Sequence, residues 1–171
     1  GEIEAVTELV EAYVLKVFPD VLGVDMPRKD FIAIGEMNFN QIGPNNENLQ
    51  KSLKRVEPIL DAYQKSFQRE SMIPGGFGEK IFLAEDAGEF EKGTAGVQVR
   101  SFLRAGVDTT IAGIGHTLNL LAQNPGEWAK VKAAPAKIRT AFEEALRLHS
   151  PSQVMFRTTS APLEFAGLSL A

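Results

Sequence analysis

TAGVQVRSFLRAGVDTTIAGIGHTLNLLAQ, residues 94–123, is the longest uninterrupted helical pattern in the chain. Thr94 can cap its start, and Asn124-Pro125 marks its end. Inside it, RAGVDTT at 104–110 sets a glycine, a carboxylate and two adjacent hydroxyls where a helix interior favours none of them. Glycine costs about 1 kcal/mol there relative to alanine. Paired threonines lose side-chain freedom and compete for backbone carbonyls. Ser101, Ala105 and Thr109 recur every fourth residue and share one helix face, small in the middle and polar at both ends. Asp108 stands beside that face, and Gly106 and Gly113 remove side chains nearby. A threonine hydroxyl bonded to a carbonyl four residues back can loosen a helix and admit water. Water, carboxylate and hydroxyl then form a proton-delivery chain. The plainer alternative is an Arg104–Asp108 surface pair, with the small residues serving helix packing.

The segments on either side decide between these readings. PAKIRTAFEEALRLHSP predicts a helix over 135–149, stopped by Ser150-Pro151 and preceded by a short helix over 126–132 with Trp128 on its apolar side. Glu144 and Arg147 have ExxR spacing, which puts them on one side of the later helix. Beyond Pro151 the texture turns β-branched and aromatic, with turn signals at Ala161-Pro162 and Ala166-Gly167, so two or three strands are expected. Arg157 falls on one of them, and arginine is suited to holding a carboxylate in a forked geometry.

Upstream, Ile3, Val6, Leu9, Val10, Tyr13, Val14 and Val17 keep helical spacing, with Pro19 and Gly23 expected to end that helix. Asp25 and Pro27 open a second helix through Phe31, Ile34 and Met37. GPNNEN at 43–48 is a break, and Pro58 inside the next amphipathic run predicts a kink or two short helices. IPGGFGEKIFLAEDAGE at 73–89 combines a turn with a short helix and does not match a phosphate-binding loop. The fold class is therefore mainly α with a short β tail, as one partial domain over 1–171. Its sections are upstream helices and loops at 1–92, the long helix through the ExxR helix at 93–150, and the start of a β-sheet segment at 151–171.

Composition narrows the chemistry. The chain has 171 residues, 44% of them hydrophobic and 23% charged, the profile of a globular domain. A net charge of −4 without any basic run argues against nucleic acid as a partner. With zero cysteines there is no disulfide, thiolate metal site or cysteine nucleophile. His116 and His149 are the only histidines, too few for a multi-histidine metal site. No membrane-length apolar run or signal-peptide pattern occurs, so a cytoplasmic location is the default expectation.

Taken in order, these segments resemble a bacterial cytochrome P-450, a haem-thiolate monooxygenase. AGVDTT (105–110) resembles the family's oxygen-activation motif, NPGEW (124–128) the start of the next short helix, and EALR (144–147) its ExxR motif. FRTT (156–159) resembles the strand whose arginine contacts a haem propionate, and LKVFPDVLGV (15–24) is similar to an upstream helix end. The resemblance implies Thr109 as the hydroxyl that hydrogen-bonds the activated oxygen or its water, and Asp108 as the proton relay. It implies that Ala105 and Gly106 let the helix pass close over the haem and that Arg157 binds a propionate. Glu144 and Arg147 would face inward and brace the haem-side core, and Ser101, Met155, Phe39, Phe31 and Met37 would line the substrate pocket. The parent enzyme would use haem b, O2, a small organic substrate and a ferredoxin-type electron donor. SFLRAGVDTT and FRTT are similar to members that oxidise para-substituted benzoates.

The departures from the family pattern are large. The cysteine loop that ligates the iron is absent, as is the downstream arginine of the ExxR network. The chain alone is thus expected to hold no metal, bind no haem specifically, show no turnover, and self-associate over surfaces that missing parts would cover. The alternative is a non-catalytic helical interaction or scaffold domain.

Overall fold

Helix α6 (Ala95–Gln123) runs 29 residues, about 44 Å at 1.5 Å per residue, and the other elements are arranged along it. The computed structural model describes residues 2–155, 157 and 159–170. Helices α1 (Ala12–Leu22), α2 (Arg28–Ile42) and α5 (Phe77–Asp86) pack on the first half of α6. Helix α3 (Glu47–Val56) lies along α2, and α4 (Leu60–Lys65) follows it. Helices α7 (Pro125–Ala133) and α8 (Ile138–Leu148) fold back on the second half of α6, and a hairpin of β1 (Leu163–Phe165) and β2 (Leu168–Leu170) follows.

The core gathers on the first half of α6. Val99, Leu103 and Val107 point inward from it to meet Val14 and Leu15 of α1, Phe31 and Ile34 of α2, and Ile81 and Phe82 of α5. These residues follow the 3.6-residue period, so burial of one apolar stripe fixes the rotation of each helix. Tyr63 and Phe67 close the side of the cluster with an edge-to-face ring pair at 4.9 Å.

Local signals held in most places. The helix signalled by Asp25 and Pro27 begins at Arg28, with Pro27 as its N-cap residue. The Pro58 break is realised as a 3-10 turn (Glu57–Ile59) between α3 and α4, where the missing N–H costs least. Two details differ from the sequence expectation. Pro19 does not end α1. It sits buried inside the helix, and the stop comes at Gly23, left-handed at φ 76°, whose N–H bonds back to the Pro19 carbonyl at 2.8 Å. Thr94 does not cap α6 with its hydroxyl, which donates instead to the Glu91 carbonyl. Glu85 of α5 takes over, accepting the Ala95 N–H at 2.7 Å, so a carboxylate from a neighbouring helix serves the positive end of α6.

The chain changes character after Gly113. Among the described residues, α7 buries no side chain and α8 buries only Ala145. The hairpin turns through Ala166 (φ 52°) and Gly167 (φ 78°), the two positive φ values of a type I′ turn, and all six of its strand residues are exposed. Two strands thus form among the described residues, of the two or three expected. Among the described residues no helix is long and apolar enough to cross a membrane.

Candidate functional site

Ser101, Ala105 and Thr109 do share one face of α6. Ser101 and Ala105 are exposed and Thr109 is half-buried. The Thr109 hydroxyl donates to the Ala105 carbonyl at 2.6 Å, the four-residue back-bond expected from the sequence. Ser101 does the same to Val97 and Thr117 to Gly113, both at 2.8 Å. Three such bonds along an unbroken α-helix show that the bond alone does not open the ladder here. Thr109 keeps its oxygen lone pairs as acceptors on the open face.

Gly106 looks the other way. A Cβ built on it would run into the Phe18 ring of α1. The missing side chain therefore serves the α1–α6 packing in this chain, whereas the exposed neighbour Ala105 belongs to the open face. Gly113 plays a similar part against α8, where a Cβ would stand 3.1 Å from the Phe142 ring.

Asp108 departs furthest from the surface-pair reading. It makes no ion pair with Arg104 and turns towards α2, where Gly35 leaves space for it. A Cβ on Gly35 would lie 2.5 Å from Oδ1 and 2.7 Å from Oδ2. Burial, and secondarily the negative charge of Glu11, push the Asp108 carboxyl up from 3.8 to about 6. A carboxyl that titrates there can both release and regain a proton near neutrality. The cleft it shares with Asn38, Tyr63 and Arg104 is about 10 Å³, room for one water at most.

The remaining candidates do not converge on this face. Glu144 and Arg147 bond each other through two contacts of 2.7 Å and are 53% and 67% exposed. The expectation that they face inward and brace the core is not met among the described residues. Nothing packs over them, so their three-residue spacing closes the pair on itself. Arg147 holds the Glu144 carboxyl below its usual range. Phe31 and Met37 are core residues, 5% and 6% exposed; Phe31 borders the small cleft beside Asp108 and Met37 the α2–α3 cleft, so the two do not share one pocket with Ser101. Phe39 and Met155 are exposed, and with Ser101 they line neither the grooves beside α8 nor the α2–α3 cleft. Arg157 is exposed, while its neighbours Phe156 and Thr158 lie outside the described residues. The His149 backbone caps α8 by donating to the Ala145 carbonyl, and its ring lies 5.5 Å from that of His116. No group of three or more metal-binding side chains occurs among the described residues.

Sequence reasoning missed Gly35, Phe18 and Glu11. Gly35 carried a signal, since a glycine inside the helical pattern FIAIGEM implies a close approach. Phe18 and Glu11 look like any apolar and charged helix positions.

No protein-family profile matches the chain. Cytochrome p450 CYP199A2 of Rhodopseudomonas palustris is 41% identical over 171 residues, 99% of this chain and 42% of that relative. The chain belongs to the cytochrome P-450 family. The probable cytochrome P450 127A1 of Sinorhizobium fredii is 38% identical over 160 residues, which covers 92% of this chain and 37% of that relative. The chain thus spans about two fifths of the length of these curated relatives. Two solved structures show the same fold at low identity. CYP109E1 of Bacillus megaterium, with testosterone, superposes at a TM-score of 0.73 and 22% identity, covering 98% of this chain and 46% of that one. P450BioI, with a fatty-acyl carrier protein, superposes at 0.76 and 20%, covering 98% and 45%.

The family's haem can be tested against this P-450 segment. Its iron takes a cysteine thiolate, and the chain has zero cysteines. The space at Gly106 belongs to Phe18, and Ala105 stands exposed with no facing wall. The residues present thus offer one side of such a site and no thiolate for its iron.

Proposed function

We propose that the chain is the oxygen-side portion of a haem monooxygenase. One observation carries this reading. Ala105 and Thr109 stand on an open face of α6, while Asp108, one residue away, is half-buried and titrates at about 6. A scaffold helix has no use for a carboxyl kept near neutrality beside an unoccupied face. The whole protein inserts one atom of O2 into a small organic substrate and releases the other as water. Two electrons come from a ferredoxin-type donor, and two protons come from solvent. Haem b, when bound to the whole protein, supplies the oxygen chemistry. In this chain, Thr109 offers an acceptor on the open face and Asp108 stores and returns the proton.

An aromatic acid is the proposed substrate class, on the similarity of SFLRAGVDTT and FRTT to members that oxidise para-substituted benzoates. The proposed setting is cytoplasmic, without nucleic acid or membrane. Alone, the 171 residues have no iron ligand, so no specific haem binding and no turnover are expected. The exposed apolar side chains of Ile138 and Leu148 support self-association.

Two experiments test the reading. Reading the gene beyond codon 171 should reveal an FGxGxHxCxG-like segment, and a stop codon directly after Ala171 would overturn the monooxygenase assignment. Titrating the purified chain with haem should give no thiolate-type spectrum under carbon monoxide with exogenous thiols excluded. Such a spectrum would sink the claim that the chain alone is inactive.

A further inference from the structure

A carboxyl held against an α-helix backbone needs a reason to be there, and Asp108 has two neighbours that supply one. Gly35 is buried in the middle of α2, where glycine weakens a helix, and every other part of FIAIGEM suits a continuous helix. The three heavy atoms nearest to a Cβ on Gly35 are Oδ1, Oδ2 and Cγ of Asp108, all within 2.9 Å. The absent side chain is therefore a notch shaped by one carboxyl. Glu11, the last residue of the π-helical turn Ala5–Glu11 that leads into α1, acts on the same carboxyl through its charge. Its own side chain is only 18% exposed and is tied at 3.1 Å to Arg28, whose guanidinium also donates to the Thr7 carbonyl at 2.6 Å.

We propose that Gly35 and Glu11 are positioning residues for the Asp108 proton relay: Gly35 provides the notch that holds the carboxyl on the α2 side of α6, and Glu11 is the fixed negative charge at its rim that favours the protonated form. This rests on the monooxygenase reading for its purpose, not for its geometry. The charged and titratable groups around Asp108 are Glu11 with its partner Arg28, Arg104 on α6, and Tyr63 on α4. Arg104 lines the same small cleft but makes no ion pair with Asp108, and the cation nearby, Arg28, is bonded to Glu11 and not to Asp108. In the notch the carboxyl accepts no hydrogen bond, and its proton is retained by exclusion from water and by Glu11. Release leaves a carboxylate that the arrangement drives to take a proton back from solvent.

The test is a carbon-13 carboxyl titration of Asp108 in the chain itself, which needs neither haem nor substrate. The wild-type midpoint should lie at about 6. Gly35→Ala expels the carboxyl towards water and should lower the midpoint by at least about one unit. Glu11→Gln removes only the charge and should give a smaller drop in the same direction. Should Gly35→Ala fail to fold, as circular dichroism will show, Glu11→Gln decides alone. A wild-type midpoint near 4, or a midpoint that Glu11→Gln leaves in place, overturns the proposal. So does a folded Gly35→Ala chain with an unmoved midpoint. If the midpoints move as stated while the gene proves to end at Ala171, the notch stands and the monooxygenase reading falls.

Discussion

The two halves of α6 belong to one continuous helix and live in different surroundings. Before Gly113, Val99, Leu103 and Val107 are between 0% and 5% exposed, enclosed by α1, α2 and α5. After it, Ile114, Leu118 and Leu121 line an open apolar groove of about 570 Å³ with Trp128, Ile138 and Phe142. Both halves carry the same apolar periodicity, so periodicity marks a face that is built to be covered and does not say whether this chain covers it. Stability should therefore be concentrated in the first half. Leu103→Ala should cost about 3 kcal/mol in urea unfolding, since a buried leucine leaves a cavity. Leu121→Ala, already half in water, should cost no more than about 1 kcal/mol. Equal losses at the two positions would break the contrast.

Glycine sharpens the same contrast. Gly106 takes the Phe18 ring, which is held in the core side of α1 and cannot simply swing away. Gly106→Ala should destabilise by about 1–3 kcal/mol through overpacking. Shrinking the partner should relieve it. In a double-mutant cycle, Phe18→Leu should recover part of the loss, and strict additivity would show that the two residues are not coupled.

The fold was legible in the sequence wherever one signal acted alone. The long helix, the Pro58 break, the ExxR helix and the Ala166-Gly167 turn each follow from local periodicity or from a residue whose backbone options are few. Pro19 was misleading because proline near a helix end removes one bond only, and the stop is made four residues later by the left-handed Gly23, which closes the last turn. At the candidate site, residue types were legible and directions were not. AGVDTT marks a functional stretch, yet nothing in it tells that Gly106 faces Phe18 or that Asp108 turns from Arg104 to Gly35. Those choices depend on side chains some 70 to 90 residues earlier in the chain.

Asp108 gives a third test, through pH. Its carboxyl is raised in the folded state, so between about 4 and about 6 the native chain binds more protons than the unfolded one. Its contribution is fully present below the ordinary carboxyl range and is lost as pH rises through about 6. Asp108→Asn should then leave stability at pH 4 nearly unchanged and raise it at pH 8 by about 1–2 kcal/mol, a figure reduced for partial solvent screening. Parallel stability–pH curves for the two proteins would mean that the carboxyl is not held in the notch.

The smallest effect is expected at the motif that looked most structural. Glu144 and Arg147 are exposed, bonded only to each other, and sit in the half of the molecule that buries almost nothing. An exposed ion pair gains little, because solvent screens the attraction and ordering two long side chains opposes it. Arg147→Met should leave the urea midpoint of this chain where it is, and Glu144→Gln should do the same. Raising the salt concentration should make no difference between these variants and the wild type. A clear loss of stability from either substitution would show that the ExxR pair braces the chain after all, with a partner on the open side of α8. It would also erase the contrast between the two halves of α6, since the second half would then be anchored by charge where the first is anchored by burial.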